Sequence, residues 1–155
     1  MGAVVRFDSI VYLPTALQAE PNRGMEIPTA YVNPGLSSLS AYDPVSDNSV
    51  AFNLGCDQEA IVPSAALPLA GGYGEVISAE PSGNHAMGIF EKLTSIGGPI
   101  ATLDAWNFSC SGSMKITADH PGPFSAGWNG ATAYVVSGTL DQVKSSMRAL
   151  VALNP

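Results

Sequence analysis

Seven of the twelve prolines fall within the first 70 residues (Pro14, Pro21, Pro28, Pro34, Pro44, Pro63 and Pro68), interleaved with Gly24, Gly35 and Gly55. Proline fixes φ and removes a backbone donor, so this spacing excludes a long helix and leaves room for short strands between turns. Ala3-Val4-Val5-Arg6-Phe7 and Ser9-Ile10-Val11-Tyr12-Leu13 are rich in β-branched and aromatic residues and read as strands. Residues 27–32 and 50–54 are shorter segments of the same kind. Asn33-Pro34-Gly35 and Tyr42-Asp43-Pro44 are turn signals, leaving at most a short helix over residues 36–42. Residues 63–72 read as a connector.

From Tyr73 the pattern changes. Residues 74–79 form a short strand ended by Pro81-Ser82-Gly83, after which Ala86, Ile89, Phe90, Leu93 and Ile96 recur at helical spacing until Gly97-Gly98-Pro99. A strand over 100–108, a small-residue turn, a strand over 114–118 and a Pro/Gly loop over 119–130 follow. Residues 131–137 form a strand, Gly138 the turn, and Thr139 with Gln142 a capping box that starts a helix carrying Leu140, Val143, Met147 and Leu150 on one face. The expected fold is α+β: a mainly antiparallel sheet with two amphipathic helices on one face, preceded by a strand- and loop-rich Pro/Gly segment. The chain reads as a single domain, residues 1–155, with an N-terminal segment over 1–70 and an α+β core over 71–155.

Asp, Glu, Lys and Arg make up 12% of residues, about half the usual share. A domain this poor in charge has surface to bury against partners, because interface cores are depleted of charge. The six basic residues are scattered against thirteen acids, for a net charge of -7, which offers nothing to neutralise a phosphate backbone. Nucleic acid is therefore not an expected partner. Apolar runs are too short for a membrane span and the N-terminus lacks a signal-peptide pattern, so the expected location is cytoplasmic. Cys56 and Cys110 form no CxxC pair; two free thiols are expected, with a single bridge left open.

No motif names a reaction. His85 follows Glu80 and His120 adjoins Asp119, which pairs a base with an acid, yet adjacent strand residues point to opposite faces. No His, Cys, Asp or Glu spacing suits zinc. Gly71-Gly72-Tyr73-Gly74 precedes a strand, whereas phosphate loops follow one. No catalytic residue, metal or cofactor is assigned. Trp106, Trp128, His85 and His120 form one alternative site, an aromatic ligand pocket.

The strand Gly74-Glu75-Val76-Ile77-Ser78-Ala79-Glu80 leading into a helix, and the closing Tyr134-Val135-Val136-Ser137-Gly138-Thr139-Leu140-Asp141-Gln142-Val143, resemble the bacterial microcompartment shell domain over residues 72–155, in its circularly permuted form. The resemblance implies trimers or hexamers tiling with other shell proteins inside the cell. It also implies a central pore lined by Ser109, Cys110, Ser111, Gly112 and Ser113, with Lys92 nearest to the edge lysine of that family. The expected function is thus a non-enzymatic, self-assembling structural protein. The alternatives are a virion or other particle component and a small α+β enzyme or ligand-binding domain using the aromatic pocket.

Overall fold

A computed structural model describes residues 1–18, 25–63, 73–92, 102–108, 113–120 and 122–153. Ten strands and one helix lie among them: β1 (Ala3–Leu13), β2 (Met25–Val32), β3 (Ser38–Asp43), β4 (Asn48–Ala51), β5 (Gln58–Pro63), β6 (Tyr73–Ala79), β7 (Ala86–Lys92), β8 (Thr102–Phe108), β9 (Ser113–His120), β10 (Gly127–Gly138) and α1 (Leu140–Leu153). The strands form two antiparallel sheets, one ordered β1-β10-β7-β6-β3-β4 and the other β2-β9-β8-β5.

Three layers result. Between the sheets, Val32, Leu39, Ala41, Phe52, Ile89, Leu103, Ala105, Met114, Ile116 and Ala118 form one core. On the opposite face of the six-stranded sheet, Val143, Met147 and Leu150 of α1 pack on Tyr42, Ile77, Phe90, Tyr134 and Val136. Full burial of such side chains contributes about 1.5–3 kcal/mol each. The capping box is present: Gln142 N–H donates to Thr139 Oγ1 at 3.2 Å, and Thr139 N–H to Gln142 Oε1 at 3.0 Å. The β6–β7 turn reaches the same helix start, since Gly83 at φ 74° accepts a 2.9 Å bond at its carbonyl from Leu140 N–H.

The α+β layout with two amphipathic helices is corrected to a β-sandwich with a single helix among the described residues. The segment expected to be the first helix is β7 where it is described, with Leu93 and Ile96 outside the described residues. Its alternate residues serve different layers: Ala86 and Phe90 face α1, whereas Met87 and Ile89 face the second sheet. A strand buried on both faces has no polar side, so its apolar residues fall at helical spacing by accident. Residues 36–42 similarly enter β3, where Leu39 and Ala41 face the inter-sheet core and Tyr42 the helix side. The two segments expected near the N-terminus are one continuous strand, β1.

The thiol expectation also changes. Cys56 is disulfide-bonded, and the sequence holds one other cysteine, Cys110, which lies outside the described residues.

Candidate functional site

The aromatic pocket does not assemble. Trp106 alternates with Leu103 and Ala105 on β8 and so faces outward from the four-stranded sheet, opposite Glu59 and Lys115. There it stacks on Phe108 at 5.6 Å, and Phe108 lies 6.2 Å from Tyr31. Trp128 shares the helix-side face of β10 with Tyr134 and Val136, on the opposite side of the sandwich, and packs on Tyr12 at 5.1 Å. His85 sits before β7, and its Nδ1 is 2.9 Å from Glu80 Oε1 with the imidazole 76% exposed. His120 ends β9 opposite Met25. His85 thus belongs to the β6–β7 turn of the six-stranded sheet and His120 to a strand of the four-stranded one. Ser113 opens β9, whereas Ser109, Cys110, Ser111 and Gly112 of the expected pore turn lie outside the described residues. Lys92 ends β7, opposite Thr132 and Tyr73.

A different feature stands out. β1 runs 11 residues without proline or glycine and pairs with β10 along its whole length, from Ala3 opposite Ser137 to Leu13 opposite Gly127. It is the edge of its sheet. β1 carries large apolar side chains on both faces with little cover: Val5 and Phe7 are 52% and 50% exposed on the side facing the second sheet. On the other side Val4, Ile10 and Tyr12 are exposed, with Trp128 alongside. Between these apolar residues Arg6 donates to Asp8 Oδ1 from Nε at 3.0 Å and from Nη2 at 2.8 Å, and Thr132 Oγ1 donates to the same oxygen at 2.8 Å. The Arg6 bond, then that from Thr132, holds the Asp8 carboxyl below its ordinary value.

The exposure on the inner side has a cause in the sheet mismatch. Six strands face four, β2 lies over β7 and β10, and β1 overhangs. Under the overhang is a groove of ≈ 380 Å³, floored by Phe7, Ser9, Ile89, Ala133 and Val135 and walled by Glu26 and Thr29. Glu26 is anchored by Lys115, whose Nζ donates to Oε1 at 2.6 Å. Thr29 Oγ1 shares a 2.8 Å hydrogen bond with Thr117 Oγ1. Among the described lining residues no histidine accompanies Ser9, and Glu26 is held by a cation. Among the described residues no group of three metal-ligating side chains converges. The mainly apolar floor suits contact with an apolar surface.

Sequence reasoning identified the strands in this region but missed the edge and the groove. The available signal was the presence of large apolar side chains on both faces of β1, which a solvated edge strand does not require.

No protein-family model and no curated protein matches the chain. A solved structure described as a "putative aldose 1-epimerase" from Klebsiella pneumoniae subsp. pneumoniae is similar at 9% identity and a TM-score of 0.38, covering 97% of this chain and 42% of that one. The chain thus spans less than half of that protein. The microcompartment shell resemblance is corrected: no shell family was found, and the strand at Ala86–Lys92 replaces the helix on which that resemblance depended. No described helix is long and apolar enough to cross a membrane.

Proposed function

We propose that this chain is a non-enzymatic structural protein that works by assembling with further copies of itself into a larger particle. The observation that carries the reading is the concentration of exposed apolar side chains on β1, where Val4, Val5, Phe7, Ile10 and Tyr12 lie on a long strand at the sheet edge. Exposed apolar side chains gathered on one element favour an interaction site, and the sheet edge formed among the described strands adds a row of backbone donors and acceptors. A charged fraction of only 12% supports the same reading. The Cys56 disulfide favours a particle built or displayed where conditions are oxidising, over the reducing cytoplasm.

Light scattering after size exclusion tests the proposal. A mass of two or more chains that persists on dilution is the expected result. A monomer across a wide concentration range overturns it.

A further inference from the structure

We infer that a second copy of this chain docks on β1, strand against antiparallel strand, about a twofold axis through Phe7, so that two six-stranded sheets merge into one. The inference rests on the assembly reading above and deepens it by naming the surface and the register.

The other sheet edges carry features that discourage pairing. β4 has only 4 residues. β2 contains Pro28 and a register shift between Glu26 and Thr29, and β5 ends in Pro63. Short strands, prolines and bulges are the usual means of blunting an edge. β1 has none of these. Its one charged pair is arranged to complement a copy of itself.

In an antiparallel pair about a twofold axis perpendicular to the sheet, residues of one face meet residues of the same face, so a single-residue slip is excluded. Centred on Phe7, residue i of one copy faces residue 14 − i of the other. Arg6 then faces the second copy's Asp8 and Asp8 its Arg6, Val4 faces Ile10, Val5 faces Ser9, and Phe7 faces itself. Each charge meets its opposite, and exposed apolar residues meet each other on both faces. Centring on Arg6 or Asp8 instead places like charges together, and centring on Val5 or Ser9 sets both charges against uncharged residues. Among these registers only the one centred on Phe7 sets each charge against its opposite across the axis, and it puts an aromatic pair there. Because Phe7 also floors the groove, the two grooves meet at that axis.

The experiment is charge reversal read by light scattering and sedimentation, with the whole chain. Arg6→Glu and Asp8→Arg should each raise the dimer dissociation constant by at least about tenfold, since each places two like-charged pairs across the axis. The double variant should recover the original value, and an equimolar mixture of the two single variants should form mixed dimers. Phe7→Cys should cross-link to a dimer on oxidation, because residues directly opposed in an antiparallel pair lie within disulfide reach, and Val5→Cys should not. An oligomer insensitive to both reversals, and in which the Phe7→Cys variant does not cross-link, overturns this register and leaves the assembly reading standing. A monomeric parent chain overturns both. Circular dichroism on each variant separates unfolding from dissociation, and a folded monomeric Arg6→Glu protein whose double variant also stays monomeric overturns the register as well.

Discussion

Gly88 offers a test of how closely α1 is seated on the sheet. It lies on β7 between Ala86 and Phe90, on the face that meets the helix. A Cβ added there would come 2.3 Å from Met147 Cε, 2.9 Å from Val143 Cγ1 and 3.5 Å from Ile77 Cγ1. In an open strand position, Gly→Ala stabilises by about 0.5–1 kcal/mol through reduced unfolded-state freedom. Here the methionine end can swing away, but Val143 is β-branched, and a helix allows its χ1 essentially one rotamer. Either α1 lifts or Val143 is strained, and overpacking of this kind costs about 1–3 kcal/mol. The net expectation for Gly88→Ala is a loss of about 1–2 kcal/mol, read by urea unfolding with an unchanged m-value. Val143→Ala alone should cost about 1–3 kcal/mol, while in the Gly88→Ala background it should cost at least about 0.5 kcal/mol less, because it removes the clashing methyl. A Gly88→Ala protein more stable than the parent, or strictly additive costs, would refute the close seating of the helix.

Thr139→Ala removes one half of the capping box and should cost about 1 kcal/mol, measured as a lower urea midpoint with helix signal lost first at the start of α1. Tyr42 donates its hydroxyl proton to Asp47 Oδ1 at 2.8 Å and accepts from Arg148 Nη1 at 2.8 Å, tying the β3–β4 turn to α1, so Tyr42→Phe should cost about 0.5–1.5 kcal/mol in the same assay. Three carboxyls are held below their ordinary values, Asp47 chiefly by Tyr42, Asp8 by Arg6 and Glu80 by His85. A lowered folded-state value means the unfolded chain binds protons first, so this stability is full above about pH 4.5 and is lost as pH falls through the folded values. Urea midpoints at neutral and acid pH should show that fall, with a smaller drop in Tyr42→Phe; a flat profile would count against these contacts. Cys56→Ser should cost about 2–5 kcal/mol, and a reductant should lower the parent's stability to the same level while leaving the variant unmoved.

The parts of this fold legible from sequence are those whose signals are local. The capping box of Thr139 and Gln142 needs four residues, and α1 has one wet face, so its apolar stripe reads clearly. β7 defeats the same method because both its faces are covered, one by α1 and one by the second sheet, which erases period-two alternation. The aromatic pocket failed for a different reason: Trp106 and Trp128 fall in segments close in sequence, and only the sheet order places them on opposite sides of the sandwich. The candidate site was half visible. The residues of β1 read as strand, but its position at an edge depends on β10, more than a hundred residues further along.

That long separation bears on how the protein comes to be made. β1 leaves the ribosome more than a hundred residues ahead of β10, the strand that houses it. Pairings of such high sequence separation form slowly, because the loop must close before any contact rewards it. Until those residues have been made, a strand of 11 residues rich in apolar side chains is without its native neighbour. On a crowded polysome a nascent β1 can meet the same strand of an adjacent chain before it meets its own β10, so subunit pairing and folding compete for one segment, and the rate of translation helps decide between them.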